Sequence, residues 1–317
     1  MRLINWLFIT LILIFGSSAA LCKASKFNVV FLLPENAERY ESFAKSFKQE
    51  LTLRNISSEV LSTDKITEKS ISNNTKLIIG FGSKSLTGLK NIQLDVPVIT
   101  VFTTKKAYEH RIEELGLSTQ KVSAIFSDPP VKRQLSLIRL LFPKAKTIGL
   151  LLSEHNTFQT TIKKQAETFG FNTYTKTIDD DRTLVKALLD VVKQSDVLLA
   201  IRDEKVFNTS NIKTILLTSY RKNTLMVGVS PAFVRVGSVA TTYSTQKDLA
   251  KELLEIIESS QYGNQGIAIQ EPRHGKYFSV FVNKVVARSL GLAVPDSVWL
   301  AEQIRKESHK TSGEANE

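Results

Sequence analysis

Asp203 closes the run "DVLLAIRDE" (Asp196 to Glu204) beside Arg202, where an apolar stretch gives way to charge. A carboxylate in that position could act as a general base, receive a ligand amine, or pair with a neighbouring cation. Catalysis would need a nucleophile or a second titrating group at reach, and no nucleophile motif stands nearby, so ligand binding or pairing is the expectation. "IDDDR" (Ile178 to Arg182) gathers three carboxylates but reads as a solvated turn, with Asp181 near a helix start where acids are favoured. The four histidines, His110, His155, His274 and His309, include no pair at helical spacing, so no metal site is expected. "GFGS" (Gly80 to Ser83) lacks the third glycine of a dinucleotide fingerprint; it reads as a tight turn whose backbone amides can approach a ligand.

The elements that must position these residues alternate. "FNVVFLLP" (Phe27 to Pro34), "KLIIGFGS" (Lys76 to Ser83) and "VPVITVF" (Val96 to Phe102) are short apolar runs typical of buried strands. After the first, Tyr40, Phe43, Phe47 and Leu51 recur at intervals of three and four residues, the stripe of an amphipathic helix. The alternation restarts beyond a break near residues 121–130. Leu135, Ile138, Leu141 and Phe142 mark a helix stopped by Pro143, "TIGLLLS" (Thr147 to Ser153) a strand, and the next helix is closed by Gly170. Further along come the helix "TLVKALLDVVKQ", the strand bearing Asp203, the short helix "TILLTSYRKN" and the strand "LMVGVS". Strands and helices alternating twice imply two doubly wound α/β lobes, whose ligands sit beyond the carboxyl ends of the strands. Those ends carry Ser83, Thr103, Ser153, Asp203 and Ser230, a polar rim on apolar strands.

A net charge of +11 raises the question of nucleic acid, but the lysines are spread from Lys23 to Lys310 without a run of like charge, which describes a lysine-rich surface. The single cysteine, Cys22, excludes an internal disulfide framework and cysteine-based zinc sites. "WLFITLILIF" (Trp6 to Phe15) after a basic start has the length of a signal-peptide core and falls short of the ~20 residues that span a bilayer. Cleavage is expected after Ala20, with Ala24 as the alternative. Leu21 stands where a lipobox has a small residue, so a free periplasmic or secreted protein is expected ahead of one acylated at Cys22.

The blocks "PPVKRQLSLIRLLFPKAKTIGLLLSE", "SDVLLAIRDEKVFN", "LMVGVSPAFVRVGSVATTYSTQKDLAKE" and "FSVFVNKVVARSLGLAVPD", in this order, closely resemble the substrate-binding proteins of ABC transporters that include the tryptophan and related amino-acid binders. The resemblance covers about residues 76–300. It implies a periplasmic-binding-protein type 1 fold: two Rossmann-like lobes, three crossover segments, and a small-molecule ligand clasped between them without catalysis or cofactor. An amino acid or related solute is the implied ligand, an ABC permease or other membrane partner the implied recipient, and nucleic acid is not a partner. The runner-up is an envelope sensor or interaction protein with a vestigial cleft.

Carried onto this chain, the resemblance implies ligand contacts at Gly82, Ser83, Phe102, Thr103, Asp203, Ser230 and Tyr243. It also implies an order of parts: signal peptide 1–24, first lobe 25–122 plus about 239–275, second lobe 123–238 plus about 276–310, and a disordered tail 311–317. The chain departs from the family where "TTKKA" (Thr103 to Ala107) replaces the common Asp-Pro after Phe102, and where "VSAIFSD" replaces the usual entry to the second lobe.

Overall fold

The computed structural model describes residues 27–154, 156–179, 181–262, 267–268 and 270–313. The expected signal peptide and Cys22 lie outside them. β1 (Asn28–Leu33) is buried along its whole length, which suits the interior of a parallel sheet covered on both faces. It pairs in parallel with β2 (Ser57–Ser62) and β3 (Thr75–Phe81). With β4 (Val98–Thr103), β5 (Val122–Phe126) and β11 (Arg273–His274) they form a six-stranded sheet of order β11-β5-β4-β3-β1-β2. On one face α1 (Glu38–Leu53) buries the expected stripe of Tyr40, Phe43, Phe47 and Leu51. Phe47 stacks on Phe43 at 5.5 Å and on Phe31 at 5.8 Å. The same cluster holds Leu249, Leu253 and Ile257 of α8 (Gln246–Tyr262), a helix far away in sequence. Burying each such side chain is worth about 1.5–3 kcal/mol, which ties α8 to this lobe. The other face is covered partly by α2 (Lys105–Leu115), through the buried Tyr108.

The second sheet runs β12-β10-β9-β8-β6-β7. Its strands are β6 (Thr147–Ser153), β7 (Asn172–Ile178), β8 (Val197–Leu199), β9 (Leu225–Val227), β10 (Ala240–Tyr243) and β12 (Ser279–Val282), and β12 alone runs antiparallel to its neighbour. One face packs against α3 (Val131–Leu141), α4 (Gln159–Thr168) and α10 (Ser297–Gly313), the other against α5 (Asp181–Gln194) and α6 (Ile212–Arg221). Short helices α7 (Pro231–Val236) and α9 (Lys284–Ser289) come after β9 and β12. The fold is the α/β two-lobe arrangement that the alternation implied.

Sheet membership moves two expected boundaries, and a helix end a third. β5 pairs with β4, so the first lobe runs through Phe126 rather than ending at 122. β10 pairs with β9 and β12, so the chain re-enters the first lobe after Tyr243, not at 239. α10 continues to Gly313, into the stretch expected as a disordered tail. Both strand misplacements have one cause: a short strand beside a crossing reads alike in either sheet, and only its hydrogen-bond partner assigns it.

Three segments cross between the lobes: Ser127–Pro130 from β5 to α3, Ser244–Thr245 from β10 to α8, and Gly275–Phe278 from β11 to β12. They are knitted together. Ser244 Oγ donates to Tyr277 O at 2.7 Å, and Arg133 Nη2 donates to Gly275 O at 3.0 Å. A Cβ on Gly275 would stand 2.8 Å from Ser244 Oγ, so a larger residue there would displace the serine side chain that joins two crossings.

Candidate functional site

Where the first crossing meets the carboxyl ends of strands from both sheets there is a cavity of about 250 Å³. Thr104, Lys105 and Lys106 line it from the first lobe, after β4. From the second lobe come Val131, Lys132 and Gln134 of α3, Phe158, Ile162 and Gln165 at α4, Leu199 to Arg202 after β8, and Val229 after β9. Asp128, Pro129 and Pro130 line it from the first crossing, and His274 from the end of β11. Lys105 Nζ lies 5.9 Å from the centre of the Phe158 ring, one lobe facing the other.

Local backbone geometry aims these groups. The β4–β5 register shifts between Thr100 and Thr103, and Phe102 holds a left-handed φ of 55°. Such a bulge turns the strand end and re-aims the residues beyond it, here Thr104 to Lys106. Thr104 then caps α2, its Oγ1 accepting from Ala107 N at 3.2 Å, while Lys105 N donates to Asp128 Oδ1 at 3.0 Å. The helix starts where it does because these two acceptors satisfy its first amides. In the second lobe the buried Gln134 fixes α3. Its Nε2 donates to Gly228 O at 2.6 Å and Thr241 Oγ1 at 3.2 Å, and its Oε1 accepts from Thr242 N and Oγ1, both at 2.9 Å. Asp128 O lies 2.8 Å from His274 Nδ1, whose ring stands edge-on to Phe126. Burial pushes the His274 imidazole below its ordinary value, and Arg133 and Lys105 act in the same direction against the pull of Asp128. Burial, then the neighbouring Arg305, brings the Arg133 guanidinium down to about 10. Arg133 lies over the Phe278 ring at 4.0 Å.

The cavity is apolar for most of its wall and carries cations at its mouth. Among the described residues no group of three or more His, Cys, Asp or Glu side chains could hold a metal ion.

None of the seven residues expected as ligand contacts lines the cavity, although several adjoin residues that do. Gly82 (φ 75°) and Phe102 meet at Tyr40. A Cβ on Gly82 would fall 2.4 Å from the Tyr40 hydroxyl, and the Phe102 ring lies 5.5 Å from the Tyr40 ring. Ser83 begins the 3-10 helix Ser83–Leu89 and is half-buried. Thr103 is buried next to Thr104, and its hydroxyl donates to Thr104 O at 3.3 Å. Asp203 is buried behind Arg202. Its Oδ2 accepts from Ser153 N at 2.9 Å, Ser153 Oγ at 2.8 Å and Asn156 Nδ2 at 2.9 Å. Burial raises the Asp203 carboxyl, but those bonds together with the Lys106 charge carry it below its ordinary value. Ser230, after Val229, stands at the start of α7 without a side-chain capping bond. Tyr243 lies 6.5 Å from the Phe281 ring. The residues that line the cavity and were not foreseen include Lys105, Lys106 and Phe158 at helix starts, Asp128 in a crossing, Gln165 within α4 and His274 at the end of β11. "SDPP" (Ser127 to Pro130), directly after an apolar run, was the available signal.

No match appears in a comparison with curated proteins. Among solved structures, a ligand-free, open substrate binding protein with adhesive properties from Clostridium difficile is similar at a TM-score of 0.68 and 18% identity, covering 85% of this chain and 96% of that one. A Streptococcus pneumonia ABC domain in complex with L-Trp is similar at a TM-score of 0.53 and 18% identity, covering 87% and 97%. A conserved domain protein from Vibrio cholerae gives 0.53 and 16%, covering 87% and 98%. These likenesses establish the two-lobe fold. The model of the family described as ABC transporter substrate binding protein matches residues 45–304, most of both lobes and all three crossings, and the chain therefore belongs to that family.

Proposed function

We propose that this protein is the extracytoplasmic solute-binding component of an ABC-type uptake system. It takes a small molecule into the cavity between its lobes and presents the closed form to a membrane permease. The observation that carries the reading is the cavity itself: it is lined from both lobes, lies beyond the strand ends, and takes part of its wall from the first crossing, Asp128, Pro129 and Pro130. No side-chain arrangement for nucleophilic catalysis accompanies it among the described lining residues. In this reading Gly82, Ser83, Phe102 and Thr103 form the first lobe's rim and descend toward the ligand on closure. Asp203, Ser230 and Tyr243 support the facing wall.

The test is a thermal-shift screen of the exported, purified protein against amino acids, sugars, nucleosides, small peptides and organic acids. A ligand present at a hundred times its Kd adds about 2.7 kcal/mol to the folded state. A reproducible rise in melting temperature with one chemical class is the expected result. A flat screen across all classes would shift the reading to an envelope protein acting through surface contacts.

A further inference from the structure

The charges around the cavity are unbalanced. Lys105, Lys106, Lys132 and Arg202 line it, and Asp128 is the one acidic side chain among its described lining residues. Lys106, Lys132 and Arg202 are exposed at its mouth, with no carboxylate within ion-pair distance among the described residues. Lys105 has Glu109 at 3.7 Å, one turn along α2. The acids nearby are already engaged by the protein: Asp128 Oδ1 holds Lys105 N, and Asp203 Oδ2 holds Ser153 and Asn156, with Lys106 acting on it from across the cleft. Two helices of eleven residues each, α2 and α3, begin at the cavity, so the positive ends of both backbone dipoles add to the same field. Gln165 supplies an independent sign of a missing partner. Its amide Oε1 is buried without a hydrogen bond, at the cavity wall. A buried amide oxygen left unpaired calls for a donor, so the wall has a polar point that the protein itself does not satisfy. The rest of the wall, with Phe158, Ile162, Leu199 and Val229, is apolar.

We infer that the ligand is a small carboxylate with an apolar body and no ammonium group; the inference rests on the solute-binding reading above and names its substrate class. The carboxylate faces the cations at the mouth, and the apolar body fills the wall around Phe158. A free amino acid is disfavoured. Its ammonium would meet Lys105, Lys106, Lys132 and Arg202 against the single carboxylate of Asp128 among the described lining residues.

Three probes share one body and differ in charge: 3-phenylpropanoate, phenylalanine and phenethylamine. Calorimetric titration of the full protein should give 3-phenylpropanoate an affinity at least about tenfold above the other two, weakening as salt is added. Lys132→Gln and Arg202→Gln should each weaken it about fivefold, while Asp128→Asn, which removes the one acidic group of the described lining and keeps an acceptor for Lys105 N, should tighten it. Phenylalanine binding equally or better, with Asp128→Asn abolishing it, overturns the inference and leaves the solute-binding reading intact. So does tight binding of a neutral sugar in the broad screen with no response to the carboxylate. If no probe binds and the broad screen is also flat, both readings fall together.

Discussion

Asp203 and Asp128 stand at similar places, each just past a strand or crossing, yet their surroundings give them different work. Three donors converge on one oxygen of Asp203, so Asp203→Ala strands Ser153 and Asn156 in a buried spot. The expected cost is about 3 kcal/mol of stability, read as a fall in melting temperature with ligand affinity only secondarily changed. Its pH behaviour is set by the direction of its shift. The folded carboxyl titrates below the ordinary value, so its contribution is present above about pH 4 and is lost as pH falls through the folded value. Acid unfolding of Asp203→Asn should accordingly be shallower below that pH than that of the wild type; an identical acid limb would show that the carboxylate is not stabilising. The sequence offered Asp203 as a polar tip on an apolar strand, and that much was legible. Which way the tip turns was not, because it depends on Ser153 and Asn156, about fifty residues earlier in the chain. Lys105 and Lys106 were hidden for a related reason: their aim comes from the left-handed turn at Phe102, and no residue type announces one when the residue is not glycine.

At the scale of elements, the buried strands and the aromatic stripe of α1 could be read directly, because burial on both faces or along one helix face imposes an apolar pattern. β2 (SSEVLS) and β7 (NTYTKTI) could not. Each is an edge strand, half-exposed and polar, held by backbone pairing to one neighbour, so its side chains carry little signal. The join between α8 and the third crossing was equally silent, though it carries a buried ion pair. Glu252, almost wholly buried on α8, accepts from Arg273 Nη1 through one oxygen and from Lys276 N at 2.7 Å through the other. Glu252→Ala should cost about 3 kcal/mol, the low end for a broken buried pair, since the Arg273 side chain remains 32% exposed. Chemical denaturation should detect it, and Glu252→Gln should recover part of the loss by keeping an acceptor for Lys276 N.

For the whole molecule, each lobe has its own apolar clusters and the cavity lies between them. Closure would then be a rigid-body turn about the crossings rather than a rearrangement within a core. Small-angle scattering should show the radius of gyration decrease on saturation with a ligand that raises the melting temperature; an unchanged radius would mean binding without closure. The three crossings also bear on how the molecule is made. The first lobe is discontinuous: β1 to β5 are finished long before α8 and β11 exist, and the whole of β6 to β10 is spelled out in between. A chain emerging amino end first therefore holds an incomplete sheet, with the apolar face around Phe31, Phe43 and Phe81 waiting for Leu249, Leu253 and Ile257 to arrive. During that interval the nascent lobe is a sticky surface in a crowded space, and a passing holdase that shields it would govern yield more than the stability of the finished fold does.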